Sequence, residues 1–290
     1  MHRRDPRGNG PDQLPGVIDT DAQACVRGDA LAPSRGRLAE LSLQGLRQAQ
    51  ELSGRSVDDI ALRLYRWNRL PTAAMRRIEA EPMRVRAIAA RAAGVTWIND
   101  APSQSSGPWS FWRPRGEPLK PTGRCWKVYV SPAPVHLAEA VYATLKAASG
   151  LPVVSLKYSA DAAGMLRPDK LVVHLETFEA VVVLASRLIE TLEGCPVHGV
   201  PFTAELGGDG LVSFGCDPPP GSDAASRGGS WRMWVTQTLA LGLIAPRAAS
   251  QEPWEHALDE ARRAGVDPAT WAPKGDLWAT AGSMDQEGRE

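Results

Sequence analysis

The chain has 290 residues, 43% of them hydrophobic, with 33 basic against 33 acidic side chains, enough to bury the core of one large or two small domains. Balanced charge excludes a protein that grips nucleic acid by bulk electrostatics alone. No apolar run approaches the roughly 20 residues of a membrane helix, and the basic start at residues 1–6 lacks the apolar stretch of a secretory signal, so a cytoplasmic protein with no membrane partner is expected.

Residues 1–35 are rich in Gly, Pro, Asp and Arg without apolar periodicity, the composition of a disordered N-terminus. Helical spacing follows. Leu38, Leu41, Leu43, Leu46 and Leu52 recur at mixed helical intervals, and Val57, Ile60, Ala61 and Leu64 keep the i, i+3, i+4, i+7 rhythm of one face. Pro71 is placed to open a helix through Met75 and Ile78, and residues 83–93 predict another that Gly94 stops. Residues 36–98 therefore read as a small helical region. Its arginines, from Arg63 to Arg91, are interleaved with few acids. A solvated helical face accounts for most of them, with docking of an acidic peptide, a partner protein or nucleic acid as the functional alternative.

Residues 99–123 carry so many prolines and glycines that they predict a linker or a long ordered loop, in which Trp109, Phe111 and Trp112 argue for packing on a neighbour or lining of a groove. A core at 124–245 comes next. Strands are predicted at 126–130, 152–157 and 170–175, and helices at 134–148 and 178–192, ended by Gly150 and Gly194. A hairpin joins 202–206 to 211–214 through Gly207-Gly208-Asp209-Gly210, a turn that needs positive φ. A helix at 231–244 closes the core, and residues 246–290 hold one more helical stretch at 254–264 and an acidic tail. The layout is α+β, a twisted mixed sheet with helices on one face.

Strand side chains alternate between faces. Lys127 and Tyr129 thus share one side of the first strand, Ser155 and Lys157 one side of the second, and Lys170 and His174 one side of the third, while Val128, Val130, Leu171 and Val173 point the other way. A half-exposed sheet with outward polar side chains is the plain explanation. Against it, these segments gather lysines with almost no acid, and clustered cations call for an anion such as a phosphoryl group. Arg167 and Arg232 are placed to extend that clamp. Cys25, Cys125, Cys195 and Cys216 lack CxxC spacing, which argues against a disulfide framework, and Cys195, His198 and Cys216 would supply only three zinc ligands, so no metal site is expected. The sequence holds no GxGxxG after a strand, no P-loop, no HExxH and no GxSxG.

The Trp-Lys-x-x-Val-Ser run at 126–131, a lysine one helix later at Lys157, and the Gly-Asp-Gly-Leu hairpin at 208–211 resemble the phosphoserine/phosphothreonine lyase domains of class III and IV lanthipeptide synthetases. Those domains are similar in turn to phosphothreonine lyase effectors of pathogenic bacteria and, more distantly, to HopA1-like lyases. The resemblance spans residues 125–216. It implies β-elimination of phosphate from a phosphorylated Ser or Thr in a precursor peptide, with no cofactor and with a separate Ser/Thr kinase as partner. Lys157 matches the family's base, and Lys127, Arg167, Lys170 and Arg232 would hold the phosphate. Tyr129 stands where the family carries His, so either Tyr129 or His174 assists the leaving group, or the chain is a non-catalytic phosphopeptide or leader-peptide binding module. A regulatory protein whose basic helices meet nucleic acid is the third and weakest reading, and nucleic acid is not the expected partner.

Overall fold

In a computed structural model the described residues are 35–52, 54–100, 108–119, 125–218, 221–222 and 229–274. The N-terminus before residue 35, the acidic tail after 274 and parts of the 99–123 segment lie outside them.

Helix α1 (Arg37–Ala49) and helix α2 (Val57–Tyr65) follow the predicted periodicities. The Ser56 hydroxyl accepts from the Asp59 amide at 3.2 Å and so satisfies one of the free donors at the start of α2. The stretch after Pro71 is a 3-10 helix (Thr72–Arg77) rather than an α-helix. Glu81 then starts α3 (Glu81–Ala93), with Pro82 in its first turn where a missing N–H costs nothing.

Seven strands form one sheet among the described residues: β1 (Trp97–Asp100), β2 (Trp109–Pro114), β3 (Trp126–Val130), β4 (Val153–Ser159), β5 (Leu171–Leu175), β6 (Ala204–Leu206) and β7 (Val212–Cys216), in the order β1-β2-β4-β5-β3-β7-β6. Two differences from the sequence reading stand out. Every pairing is antiparallel rather than mixed. The segment read as linker or loop contributes β2 and the second half of β1, which begins in the region read as helical, and β2 pairs with β4 so that Trp112 faces Leu156 and Phe111 faces Lys157. Alternation of Trp112 inward with Phe111 and Trp109 outward is a strand signature that the surrounding prolines and glycines obscure. The hairpin from β6 to β7 turns through Gly207, Gly208 and Gly210 at φ of 79°, 79° and 82°, as its composition requires.

Helices α4 (Leu137–Ala147) and α6 (Phe178–Thr191), with α3 packed on α4, cover the face that carries Val128, Val130, Leu156, Leu171, Val173 and Phe214, all at or below 3% exposure. A short helix α5 (Ala162–Met165) bridges β4 and β5 and is capped by Asp161. Helices α7 (Trp231–Ile244) and α8 (Pro253–Arg263) join α1 and α2 in a second core built on Leu46, Ile60, Leu64, Phe202, Trp231 and Trp271. That core lies against one end of the opposite sheet face. Gly215, paired with Lys127 across β7 and β3, is the contact point: a Cβ built there would meet the Trp231 ring at 2.6 Å.

The N-terminal helices are also tied to the sheet by polar contacts. The Glu205 carboxylate accepts from the Leu38 amide at 2.7 Å, and the Ser42 hydroxyl accepts from the Phe202 amide at 2.7 Å. Asn68, at φ 65°, donates to the carbonyls of His198 and Gly199, each at 3.0 Å.

Replacing Gly215 with Ala forces Trp231, fully enclosed, off its seat. Urea unfolding of Gly215→Ala should show a loss of about 1–3 kcal/mol, the usual cost of overpacking a close-packed interior.

Candidate functional site

Antiparallel register brings the predicted polar face together. Lys127 stands opposite His174 across β3 and β5, His174 opposite Ser155, and Val172 lies between Tyr129 and Lys157. Phe111 and Trp109 extend the same face onto β2. The open part of the sheet therefore runs over β3, β5, β4 and β2, and the α7 core closes its far end.

Lys157 is part-exposed at the middle of this surface. Its ammonium lies 4.8 Å from the centroid of the Trp109 ring, and no acidic side chain pairs with it among the described residues. Burial lowers its pKa, Asp169 raises it, and the neighbouring charges of Lys127 and Arg167 lower it further, with a net fall below the ordinary lysine value. Lys127, almost fully buried, forms a salt bridge to Asp217 at 2.5 Å. His174 accepts from or donates to Ser155 through Nδ1 at 3.1 Å. Burial first, then the charges of Lys157 and Lys127, push its pKa down to about 3, so the imidazole is neutral at physiological pH.

Beside Lys157, the guanidinium of Arg167 lies 5.1 Å from the same Trp109 ring. Its Nε and Nη2 donate to the two oxygens of Asp169 at 2.9 and 3.1 Å, and Nη2 also donates to the Tyr65 hydroxyl at 3.0 Å. That hydroxyl donates in turn to Asp169 Oδ2 at 2.9 Å. Arg232 approaches from α7, with Nη1 3.0 Å from Asp169 Oδ2. Burial opposes a charge on Asp169, but Arg232, Arg167 and Tyr65 outweigh it and hold the carboxyl far below the usual carboxylate range.

Two residues expected in the phosphate clamp are placed elsewhere. Lys170 is fully enclosed, donating to the Pro132 carbonyl at 3.0 Å and contacting His198 Nδ1 at 2.7 Å. His198 Nε2 lies 2.6 Å from the Asn68 carbonyl, which can only accept, so Nε2 carries the proton and Nδ1 receives the lysine N–H. Burial brings Lys170 down to about 7 and His198 to about 3. Arg232 is 1% exposed and spends its other donors on the carbonyls of Pro201 and Tyr65, at 3.0 and 2.8 Å. Both cations are internal, because Lys170, just before β5, is covered by the segment that carries His198, and the helix that carries Arg232 covers that end of the face. Tyr129 also points into this end: its phenol is enclosed, without a hydrogen-bond partner among the described residues, and burial raises its pKa well above 10.

Trp109, expected to pack on a neighbour or line a groove, lies against Lys157 and Arg167. Tyr65, Asp169 and Asp217 are not among the expected site residues, and of these only Asp169 has a local signal, lying between Arg167 and Lys170. The others meet the site through tertiary pairing. Among the described residues, no group of three or more His, Cys, Asp or Glu side chains is arranged to hold a metal, and Cys125 and Cys195 are free thiols. No described helix is long and apolar enough to cross a membrane.

No model of a known protein family matches the chain, and no curated protein matches it in sequence. Solved structures do. An effector protein from Pseudomonas syringae pv. tomato strain DC3000 is similar with a TM-score of 0.54 at 12% identity, over 82% of this chain and 99% of that one. A second effector, from Pseudomonas syringae pv. syringae strain 61, aligns with a TM-score of 0.49 at 16% identity, over 82% of this chain and 100% of its own. The first of these likenesses shows that the α+β fold is shared with a bacterial effector, and it shows the fold alone.

Two outcomes follow from the charges. Asp169→Asn leaves the enclosed Arg232 without its counter-ion, and chemical denaturation should register a loss of about 3–5 kcal/mol. His174 and His198 stay neutral in the folded chain down to about pH 3, whereas in the unfolded chain they protonate near 6.5. Unfolding therefore takes up protons between these values, so stability should be flat just above about pH 6.5 as far as these two groups are concerned and fall below it. Urea titrations in a pH series would expose a His174→Gln variant with a shallower acid slope.

Proposed function

We propose that this chain is a phospho-Ser/Thr lyase that acts on a phosphorylated precursor peptide in ribosomal natural-product biosynthesis, supplied by a separate Ser/Thr kinase. One observation carries the reading. An unpaired lysine of lowered proton affinity, Lys157, lies on an open sheet face beside two further cations, Lys127 and Arg167. The sequence resemblance of residues 125–216 to lanthipeptide lyase domains supports it, and so does the fold shared with a bacterial effector.

In the reaction, neutral Lys157 Nζ takes the α-proton of the phosphorylated residue. The electron pair of that C–H bond becomes the Cα–Cβ double bond, the Cβ–O bond breaks, and its pair leaves on phosphate. Lys157 ends as the ammonium and the peptide as a dehydroamino acid, so no water or redox partner enters. Arg167 and Lys127 neutralise charge that grows on the leaving phosphate, which is the largest demand of such a step. Lys127 must exchange part of its contact with Asp217 to do so. Trp109 and Phe111 form an apolar wall where the peptide would lie.

One finding favours a second reading. His174 is neutral and the Tyr129 phenol is enclosed, so neither offers the leaving phosphate an acid of imidazolium strength. A phosphopeptide or leader-peptide binding module working with a separate enzyme would need the cations but no acid.

Phosphate release from a phosphothreonine peptide separates the two. The lyase should show a rate that rises with pH through a single ionisation below the ordinary lysine value of about 10.4, because the base works only when deprotonated. Lys157→Ala should reduce turnover by at least about a thousandfold while peptide binding persists. Full activity in Lys157→Ala removes the base assignment, and binding without phosphate release at any pH establishes the module.

A further inference from the structure

Arg167 is anchored by two groups, Asp169 two residues on and Tyr65 from a distant helix. Asp169 takes two of its nitrogens and the Tyr65 hydroxyl shares one of them, leaving Nη1 with no protein acceptor among the described residues. Tyr65 comes from α2, and Arg232, the second counter-ion of Asp169, comes from α7. The Tyr65 ring lies near both guanidiniums, 4.7 Å from Arg232 Cζ and 5.7 Å from Arg167 Cζ. A buried ion network whose sole purpose was to fasten helices to the sheet would be satisfied by Asp169 and Arg232. The added hydroxyl instead holds Arg167, whose part-exposed guanidinium shares the Trp109 ring with Lys157 beside the open face.

We infer that Tyr65 and Asp169 are positioning residues: they fix the plane of Arg167 so that its remaining edge faces the phosphate of a phosphomonoester held over Lys157, making the helical region a working part of the site. This rests on the proposed lyase or phosphopeptide reading and adds to it the group that binds the phosphate and the residues that aim it. Arg232 then acts as the internal balance for Asp169, and the pair of guanidiniums against one carboxylate leaves one positive charge for the ligand. The hydroxyl of Tyr65 both accepts from Arg167 and donates to Asp169, so its removal loosens the fork without deleting a charge.

The test uses the full chain and a synthetic phosphothreonine peptide with its unphosphorylated counterpart, followed by calorimetry and by steady-state kinetics. Tyr65→Phe should weaken phosphopeptide binding and raise KM by roughly tenfold, the scale of one hydrogen bond to a charged group, with kcat and its pH midpoint changed little. Arg167→Lys should weaken binding at least as much, and Tyr65→Phe added to Arg167→Lys should cost nothing further, since the fork that Tyr65 aims is gone. Additive losses in the double variant overturn the inference, even where Tyr65→Phe lowers stability. So does an unchanged KM in Tyr65→Phe, or a shift in the pH midpoint alone, which would place Tyr65 with the base. Wild-type protein that binds both peptides alike overturns the functional reading together with this one, whereas discrimination by the wild type that survives in Tyr65→Phe overturns only this one.

Discussion

A single enclosed carboxylate organises this molecule. Asp169 is 5% exposed, and an ion of that kind survives away from water only if opposite charges and hydrogen bonds replace its hydration. Arg232 descends from α7 to meet it, Arg167 clasps it from two residues away, and Tyr65 reaches it from α2. The segment before β5, the second core and the N-terminal helices are thereby brought to one point at the edge of the open sheet face. What the carboxylate gathers inward also decides what is left facing outward: one edge of Arg167, next to Lys157.

Charge on the face is graded. Lys127 has an acid, Asp217, while Lys170 and Arg232 are consumed internally. Lys157 has no paired acid among the described residues, an aromatic ring beside it, and the charges of Lys127 and Arg167 set against the more distant pull of Asp169. Desolvation and like charge both weaken its hold on a proton, as a general base at neutral pH requires. The ring works the other way, since a tryptophan face favours the ammonium. Trp109 therefore tempers the fall in the proton affinity of Lys157.

Much of the architecture was legible in the sequence because period and capping agree. Alternation in 126–130, 153–159 and 171–175 separated Lys127, Tyr129, Ser155, Lys157 and His174 from the apolar positions, and the pairings place all five on one face. Helices at 178–191 and 231–244 begin at Thr177 and Ser230, whose hydroxyls accept from Ala180 and Met233. What could not be read is of another kind. Facing in a strand does not say whether an outward lysine meets solvent, so Lys170 looked like a ligand until the 198–201 segment covered it. The paired strands β1 and β2 hid among the surrounding prolines and glycines. Tyr65 and Asp169 are 104 residues apart, and no local pattern announces a contact over that distance.

The reading that joins these features is an elimination carried out on an open sheet face by a lysine whose charge is unwelcome there. Mass spectrometry of a phosphothreonine peptide after incubation with the full chain tests it most directly. A product lighter than the substrate by one phosphoric acid, with the lost mass mapped to a dehydrated threonine, is the predicted result. A product equal in mass to the unphosphorylated peptide, as water-driven hydrolysis would leave, or a peptide that returns intact would contradict it.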